Sequence, residues 1–300
     1  MQNYLIGIDG GGSKTAFMLT NRSKEIISEL TLGRSNPNDI GIENTAALLL
    51  QGIYSLCSQA GIKQDNVAAI YAGIAGVTAN DFISRISKAI SSELPDSVIG
   101  VNHDGLNILY AAFPDRDGVA VICGTGTSCF TKKNDIMHRI GGYGLFDLAG
   151  GGFEIGRAAI SHALRSIDGR DNNSVLSELV KQKAGFDLIK GLGTLIASGK
   201  SNIASYAPLV YKAYLQSDGY ARNILEIHTA YLAELINTAS RYYNDKYEVS
   251  LAGSIGKDPV TMEILLPKLN QNARVSPLDC EPIIGAVNYA DFLLQKKQAG

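Results

Sequence analysis

The sequence contains no tryptophan and little cysteine, the residue on which zinc-binding and disulfide-rich proteins depend. Tryptophan is absent, and cysteine and methionine each occur four times among 300 residues. Cys57, Cys123, Cys129 and Cys280 lack C-x-x-C spacing, which excludes a zinc site of that type and a disulfide framework. Cys123 and Cys129 flank a glycine turn, and we expect them to be small core thiols.

Strong charge and long apolar runs are also missing. Lys and Arg number 27 against 29 Asp and Glu, so the net charge of −2 provides no field to attract nucleic acid or an anionic membrane. No apolar run approaches the length of a membrane span. Met1 leads straight into an apolar strand, so we expect no signal peptide and a cytoplasmic protein. Length and hydrophobic content predict one large or two moderate globular domains.

The first twenty residues predict a β-hairpin with an unusual turn. Apolar residues 4–8 and 16–20 flank Asp9 and Gly-Gly-Gly-Ser-Lys-Thr at 10–15. Glycines there would permit positive φ values and a close approach of backbone N–H groups to an anion. The spacing does not match a Walker A loop, and a strand follows instead of a helix. We interpret the turn as a phosphate site with Asp9 as a metal anchor; an ordinary glycine hairpin remains the alternative.

Strands and helices then alternate. Continuous apolar strands between amphipathic helices predict an α/β fold with a sheet covered on both faces. The predicted strands are 25–32, 67–74 and 97–102, a polar loop covers 33–39, and the predicted helices are 42–60, 80–93 and 105–112.

Asp104 follows a predicted buried strand within Asn102-His103-Asp104-Gly105. Ligands of open α/β sheets bind at the carboxyl ends of strands, so Asp104 is a candidate catalytic residue. A helix N-cap is the competing interpretation. His103 is expected to be structural or to act through Asp104.

The opening pattern then recurs. Residues 118–123 form a strand, 124–128 a glycine and hydroxyl turn, and 129–131 and 136–140 two further strands. This repetition indicates a structural duplication. Two such turns facing each other would grip a polyphosphate from both sides.

The remainder carries fewer chemical signals. Glycine-rich residues 141–152 precede a helix at 153–166, and 172–243 are predominantly helical without a catalytic pattern, so we interpret them as one wall of a lobe. A strand at 248–252 ends at Gly253, which would let a flat ring lie against the backbone. Helices at 260–269 and 283–298 complete the prediction.

These motifs resemble those of the sugar kinase, heat-shock-protein ATPase and actin superfamily. Within it, the chain from Ile6 to Ala290 resembles the BadF/BadG/BcrA/BcrD-type ATPases, specifically the N-acetylglucosamine kinase branch. The residues that carry the resemblance are Asp9-Gly-Gly-Gly-Ser-Lys-Thr, Gly33-Arg-Ser-Asn-Pro, Asn102-His-Asp-Gly, Ile122-Cys-Gly-Thr-Gly-Thr-Ser, Gly141-Gly-Tyr-Gly and Leu251-Ala-Gly-Ser.

The resemblance implies a two-lobed ribonuclease H-like fold, also called the actin-like ATPase fold. It has duplicated βββαβα units, an ATP cleft between the lobes and a helical insert in the second lobe. We predict an N-terminal lobe at 1–113 and a C-terminal lobe at 114–300, with the last helix, 283–298, packing back at the lobe interface.

The resemblance also implies site residues. Asp104 matches the base that acts on a sugar hydroxyl, and Asp9 matches the Mg²⁺ anchor. ATP contacts are implied for Gly10, Gly11, Gly12, Ser13, Lys14, Thr15, Gly124, Thr125, Gly126, Gly253 and Ser254. Sugar contacts are implied for Asn36, Pro37, Asp104, Thr127, Ser128, Gly142, Tyr143, Gly144 and Asp147.

The loop after Gly144 departs from the family pattern. Tyr143 replaces a tryptophan, Asp147 is the natural match for a sugar-binding aspartate, and Leu148 stands where glutamate is expected. The stretch Ala149-Gly-Gly-Gly lacks the usual serine. These departures concern sugar specificity.

The implied function is ATP-dependent phosphorylation of an amino sugar of the N-acetylglucosamine, N-acetylmuramic acid or glucosamine type. A homodimer is the family expectation, with no nucleic-acid or membrane partner. Two alternatives remain on the same fold: an ATPase activator of a 2-hydroxyacyl-CoA dehydratase, and a sugar-sensing protein without catalysis. Cysteine spacing argues against the first, and Asp104 and the early first strand argue against the second.

Overall fold

The structure is a computed structural model that describes residues 3–147 and 150–299. The chain forms two compact units. One contains the chain up to Arg116 together with the segment from Leu278 onward, and the other contains Asp117–Pro277. The predicted boundary at 113/114 thus lies close to the first crossing of the chain, whereas the segment from Leu278 belongs to the first unit and not to the second.

The first unit contains a five-stranded mixed sheet in the order β3-β2-β1-β4-β5. β1, β2 and β3 are antiparallel neighbours, and β4 and β5 continue parallel to β1. The strands are β1 (Tyr4–Gly10), β2 (Thr15–Asn21), β3 (Ile26–Leu32), β4 (Val67–Ile74) and β5 (Val98–Asn102), and the helices among them are α1 (Pro37–Ile40), α2 (Ile42–Ala60), α3 (Phe82–Glu93) and α4 (Gly105–Ala112).

The second unit repeats this arrangement. Its sheet has the order β8-β7-β6-β9-β10, with β6, β7 and β8 antiparallel and β9 and β10 parallel to β6. The strands are β6 (Gly118–Cys123), β7 (Thr127–Lys133), β8 (Ile136–Ile140), β9 (Tyr247–Ala252) and β10 (Ala273–Pro277). The predicted α/β class and duplication are confirmed. β10, which the sequence analysis did not predict, completes the repeat.

The predicted helical insert lies between β8 and β9. Another helix follows β9, and the last one returns to the first unit. Among the described residues, no helix is both long and apolar enough to cross a membrane. The helices are α5 (Gly152–Ile167), α6 (Val175–Ala184), α7 (Leu192–Ala197), α8 (Gly199–Ala204), α9 (Ala207–Tyr214), α10 (Gly219–Thr238), α11 (Pro259–Leu265) and α12 (Pro282–Ala299).

Apolar periodicity accounts for these elements. β4 is buried along its whole length, as expected for a strand covered on both faces. Leu49, Ile53 and Leu56 of α2 are fully buried and lie on one helical face. α1 was predicted as part of a polar loop; it forms because Asn36 Oδ1 accepts the N–H of Asn38 and Pro37 suits the first helical position.

Helix α12 lies against β1 and α4 of the first unit. Gly285 lies directly against the backbone of α4, because a Cβ there would lie 1.7 Å from the carbonyl oxygen of Asn107. On β1, a Cβ at Gly7 would lie 2.6 Å from the backbone nitrogen of Val287. Tyr289 completes the contact edge-to-face with Tyr71 at 4.4 Å. Gly7 and Gly285 therefore serve packing inside the first unit.

We expect Gly285→Ala to destabilise the protein by about 1–3 kcal/mol, because the added methyl group overlaps backbone atoms that cannot rotate away. Urea unfolding measures the change. Gly193→Ala in α7 is the matched control, since a Cβ there meets nothing within 4 Å. Equal stability of the two variants would contradict the close approach of α12 and α4.

A buried histidine makes stability depend on pH. His228 in α10 is buried, and its Nδ1 has no hydrogen-bond partner among the described residues. Burial, assisted by the charge of Arg157, lowers the pKa of His228 from its ordinary 6.5 to about 4. Between these values the unfolded chain binds a proton that the folded chain does not. Stability therefore falls as the pH falls through this range.

We expect the free energy of unfolding to drop by about 2 kcal/mol between pH 7.5 and pH 5 because of His228. His228→Gln, which carries no proton to exchange, should lose that part of the dependence. Urea unfolding of both proteins at the two pH values measures it. Identical pH slopes would show that His228 is not the cause.

Candidate active site

The turn between β1 and β2 consists of residues 11–14. The N–H of Gly11 donates to the carbonyl of Lys14 at 2.9 Å and closes the turn. Outside the turn, the N–H of Ala75 donates to the carbonyl of Gly10 at 2.8 Å, and the N–H of Ser35 to that of Gly11 at 3.2 Å. The turn is therefore held from two sides, while Ser13 and Lys14 remain exposed.

The glycines of this turn do not have the positive φ values that we expected. Residues 10–12 do not adopt left-handed backbone conformations, so their φ angles do not require glycine. Gly10 is needed for packing, because a Cβ would lie 2.3 Å from Ser35 Oγ. A Cβ on Gly11 or Gly12 would meet nothing closer than 3.4 Å and 3.9 Å. At these two positions the fold leaves room next to the backbone.

Thr15 differs from its neighbours in the motif. Its side chain is fully buried, and Oγ1 donates to the carbonyl of Gly33 at 2.8 Å. Thr15 thus anchors the start of β2 and does not present its hydroxyl at the turn.

Asp9 lies next to the turn, at the end of β1, and contacts α4. Asn107 Nδ2 donates to Asp9 Oδ1 at 2.5 Å. Gly73 makes this possible, because a Cβ there would overlap the Asn107 side chain at 2.1 Å. Burial raises the pKa of Asp9 to about 6; the charge of Asp104 adds to the rise, and Asn107 and Lys14 oppose it.

Asn107 was missed by the sequence analysis. It is fully buried in the otherwise apolar helix α4. A single amide among apolar residues, three positions after Asp104, was the available signal.

Asp104 is at the N-terminus of α4 but does not cap it with its side chain. The N-cap interpretation therefore does not describe this carboxylate. Its Oδ1 lies 2.7 Å from His103 Nδ1, and the same nitrogen accepts the N–H of Gly105 at 3.0 Å. One ring nitrogen cannot accept from Gly105 and donate to Asp104 at once, so the position of a single proton determines which contact is made.

The loop after β3 meets the end of β4. Asn36 Oδ1 caps α1, and Asn38 Nδ2 donates to the carbonyl of Gly76 at 2.9 Å. Pro37 is buried beneath them. The oxygen of Asn36 is thus committed to the loop, and its amide nitrogen is the group left for a ligand.

The corresponding turn of the second unit consists of residues 124–126. The N–H of Gly124 donates to the carbonyl of Gly126 at 3.0 Å. Thr125 is exposed, and a Cβ on Gly124 or Gly126 would meet nothing within 4 Å. Neither glycine has a positive φ. The second turn therefore also leaves room next to its backbone.

Helix α5 is attached to this turn. The N–H of Gly152 donates to the carbonyl of Gly124 at 2.7 Å, and that of Phe153 to the carbonyl of Thr125 at 2.8 Å. Gly151 allows the approach, because its Cβ would lie 2.8 Å from the backbone of Gly126. The glycines before α5 thus fit the turn itself.

Thr127 and Ser128 lie at the start of β7 and are buried. Thr127 Oγ1 donates to Cys123 Sγ at 3.4 Å. Ser128 lies under Gly142, where a Cβ would be 2.7 Å from Ser128 Cβ.

Gly253 and Ser254 follow β9. Gly253 has φ +87°, and a Cβ there would lie 2.3 Å from the carbonyl oxygen of Cys123. The N–H groups of Ile255 and Gly256 both donate to that oxygen at 3.1 Å. The glycine is required by contact with β6, while Ser254 is exposed.

The segment after β8 is organised by Asp147. Its Oδ2 accepts the N–H of Gly142 at 2.6 Å and that of Tyr143 at 3.3 Å. The Tyr143 side chain is 63 % exposed, with the Arg139 guanidinium 5.5 Å from its ring centroid. Gly144 has a positive φ. The predicted departures at Leu148 and Ala149 lie outside the described residues.

The helical insert contributes to two cavities that sequence reasoning missed. One, of about 270 Å³, is lined by the second turn, by Ser201 and Ser205, and by Ser254. A second, of about 180 Å³, lies between Ser254, Pro208 and Tyr211. Ser201 of α8 and Ser205 after it form no recognisable sequence motif.

The site residues can now be grouped by unit. The first contains the 11–14 turn with Asp9, Asp104 and Asn36. The second contains the 124–126 turn, residues 142–147 and Ser254. A model of the BadF/BadG/BcrA/BcrD ATPase family matches residues 6–290. The chain belongs to this family.

Individual relatives agree with the family assignment. The chain is 32% identical over 231 residues to an N-acetylmuramic acid/N-acetylglucosamine kinase of Clostridium acetobutylicum, covering 74% of each sequence. It is 25% identical over 308 residues to an N-acetyl-D-glucosamine kinase of Dictyostelium discoideum, covering 95% of this chain and 97% of that one.

A solved structure shares the fold. A candidate N-acetylglucosamine kinase from Chromobacterium violaceum aligns with a TM-score of 0.80 at 24% identity, over 98% of this chain and 99% of that one. The predicted family and the predicted fold class are both confirmed.

The room beside the two turns suggests a direct test in this ATPase family. We expect Gly126→Ala to leave thermal stability unchanged, because the methyl group meets no atom, and to weaken ATP binding ~10-fold or more by blocking a hydrogen bond to a charged ligand. Calorimetric titration with ATP measures the affinity. Gly253→Ala should instead lower stability, since it combines a positive φ with a backbone overlap. Wild-type ATP affinity in Gly126→Ala would contradict a phosphate at this turn.

Proposed function

We propose that this protein transfers the γ-phosphoryl group of ATP to a hydroxyl of an amino sugar, with Asp104 as the general base. The observation that carries this proposal is the Asp104 carboxylate, which lies at the carboxyl end of β5 and is not used to cap α4. Its charge acts on Asp9, which adjoins the first glycine turn. The proposed base and the turn proposed to hold phosphate thus belong to one unit.

The class of enzyme is the best supported part. The family is one of ATPases, and the relatives compared above are kinases of amino sugars. The predicted ATP-dependent sugar kinase, similar to N-acetylglucosamine kinase, is confirmed at this level. The particular sugar, among N-acetylglucosamine, N-acetylmuramic acid and glucosamine, belongs to the proposal.

Each glycine turn is proposed to offer backbone N–H groups to an ATP phosphate; Ser13 and Lys14 are exposed at the first turn and Thr125 at the second. Glycine is not required by the fold at Gly11, Gly12, Gly124 and Gly126, and a bare backbone allows a phosphate to approach closely. Gly253 and Ser254 are proposed to contact the nucleoside.

Asp9 fits a magnesium ion. Its carboxylate supplies the hard oxygen ligands that Mg²⁺ prefers, and burial disfavours its charge until a cation neutralises it. The described residues contain no cluster of three His, Cys, Asp or Glu for a metal. This agrees with an ion bound mainly through phosphates and one carboxylate. When bound, Mg²⁺ supplies charge neutralisation on the phosphates.

Asp104 would accept the proton of the sugar hydroxyl as that oxygen attacks the γ-phosphorus. His103 contacts Oδ1 of Asp104 and would fix the direction of the carboxylate. The transition state is loose, so holding the sugar oxygen in line contributes most of the rate enhancement.

Sugar contacts are proposed on two segments. On the first unit, the amide nitrogen of Asn36 is available beside buried Pro37. On the second, the exposed ring of Tyr143, between Gly142 and Gly144, offers a flat surface. Thr127 and Ser128 lie beneath that segment, and Asp147 shapes it by holding two of its N–H groups. From the family resemblance, we also propose that the protein is a homodimer and that it is located in the cytoplasm.

The activator of a 2-hydroxyacyl-CoA dehydratase is disfavoured. Its iron–sulfur cluster needs thiolate ligands. Cys123 and Cys129 are buried, and burial raises the pKa of each to about 12. Both are core thiols, as predicted.

We expect Asp104→Asn to retain ATP binding and to lose at least ~100-fold in kcat, the lower range for removal of a general base. An ADP-release assay with amino sugars measures turnover, and calorimetry measures ATP affinity. Asp115→Asn is the matched control, since Asp115 is exposed on the loop after α4. Turnover of Asp104→Asn close to that of Asp115→Asn would exclude Asp104 as the base.

A further inference from the structure

A cavity of about 90 Å³ lies in the second unit, beside the 124–126 turn. Its walls include Thr125 and Thr127 of the turn region, Gly142, Asp147, Glu154 and Lys200. Most of these residues belong to motifs already considered. Glu154 does not, and neither the family resemblance nor the proposed mechanism has given it a role.

Glu154 is in the first turn of α5, two residues after the glycine that attaches this helix to the turn. The residue is only 6 % exposed. Its Oε2 has no hydrogen-bond partner among the described residues. A buried carboxylate oxygen without a donor costs free energy, so a fold does not retain one for stability. We therefore expect a ligand in the cavity to supply the hydrogen-bond donor that Oε2 lacks.

The groups around Glu154 also affect the charge of its carboxyl group. Burial raises its pKa. The backbone N–H groups of Glu154 and Gly151 oppose that rise, as do the charges of Lys200 and Arg157. The N-terminal turn of α5 also favours a negative charge. Burial thus disfavours the ionised form, the neighbouring N–H groups and cations favour it, and Oε2 is left without a donor.

The kind of ligand follows from the acceptors present. Two carboxylates, Glu154 and Asp147, line the cavity, and one cation, Lys200, accompanies them. Two carboxylates repel a phosphate group, whereas they attract the N–H and O–H donors of a sugar or an amine. The 270 Å³ cavity on the other side of the turn is lined by serines and backbone, and no carboxylate is among its lining residues. The two cavities thus differ in the ligand they suit.

We propose that Glu154 binds the sugar, with Oε2 accepting a hydrogen bond from an N–H or O–H group of the amino sugar. The inference rests on the proposed function for the identity of that ligand. It adds a specificity-determining residue close to Asp147 and the Tyr143 segment. It also assigns the small cavity to the sugar and not to the nucleotide.

The test compares Glu154→Leu and Glu154→Gln with the wild type. Leu removes the acceptor, and Gln keeps an uncharged one. Glu263→Gln is the matched control, since Glu263 is exposed on α11. The measurements are the KM for N-acetylglucosamine and glucosamine, the KM for ATP, the melting temperature without ligand, and the rise in melting temperature caused by each sugar without ATP.

We expect Glu154→Leu to raise the KM for the preferred sugar ~10-fold or more, the loss of one hydrogen bond to a charged group. Glu154→Gln should have a smaller effect. The KM for ATP should not change. The melting temperature without ligand should stay the same or rise, because a buried charge without a partner has been removed. The sugar-induced rise should shrink in the same order.

Three results would overturn the inference. An unchanged sugar KM in both variants is one. An ATP KM raised as much as the sugar KM is another. A lower melting temperature in Glu154→Gln with an unchanged sugar KM would assign Glu154 a structural role.

The result distinguishes failure of this inference from failure of the proposed function. If the wild type phosphorylates no amino sugar, the proposed function is wrong. The inference would still stand if a sugar raises the melting temperature of the wild type and not that of Glu154→Leu. If phosphorylation is normal in every variant, the inference is wrong and the proposed function stands.

Discussion

Two hydrogen bonds between helix α5 and the second glycine turn determine much of the second unit. They join the N–H groups of Gly152 and Phe153 to the carbonyls of Gly124 and Thr125. Because these carbonyls and the N–H of Gly124 are used by the protein, the open space beside the turn is what is left for a ligand. The same attachment fixes the first turn of α5, so Glu154 is held beside the turn. A backbone contact without side chains thus sets the positions of two potential ligand sites.

In the first unit, the glycine turn is also held by backbone hydrogen bonds, but from different segments. Its turn is held by the N–H groups of Ser35 and Ala75, and the adjoining Asp9 is oriented by Asn107 from α4. Helix α12 supports α4 from behind through Gly285. Asp104 begins the same helix α4. The carboxylates proposed as base and metal anchor therefore both depend on one short helix and on the packing of the last helix against it.

The order of strands and helices could be read from the sequence because apolar runs and glycine turns report local structure. The glycine patterns predicted where the turns lie, but they did not show why glycine occupies these positions. Three glycines at 10–12 suggested positive φ values, yet steric fit at Gly10 and open space at Gly11 and Gly12 explain them. Asn107, Glu154 and β10 escaped prediction, because pairing and burial across distant segments decide their roles. A local pattern marked Asn107 as unusual, but it did not name the residues that Asn107 contacts, and it marked neither Glu154 nor β10.

If the protein uses ATP to phosphorylate an amino sugar, the balance of reaction products shows it most directly. The wild-type protein should be incubated with ATP, Mg²⁺ and a panel of amino sugars, and ADP, inorganic phosphate and sugar phosphate should be quantified together. We expect equal amounts of ADP and one amino sugar phosphate, with little free phosphate. Release of ADP and inorganic phosphate in equal amounts, without any sugar phosphate, would contradict it.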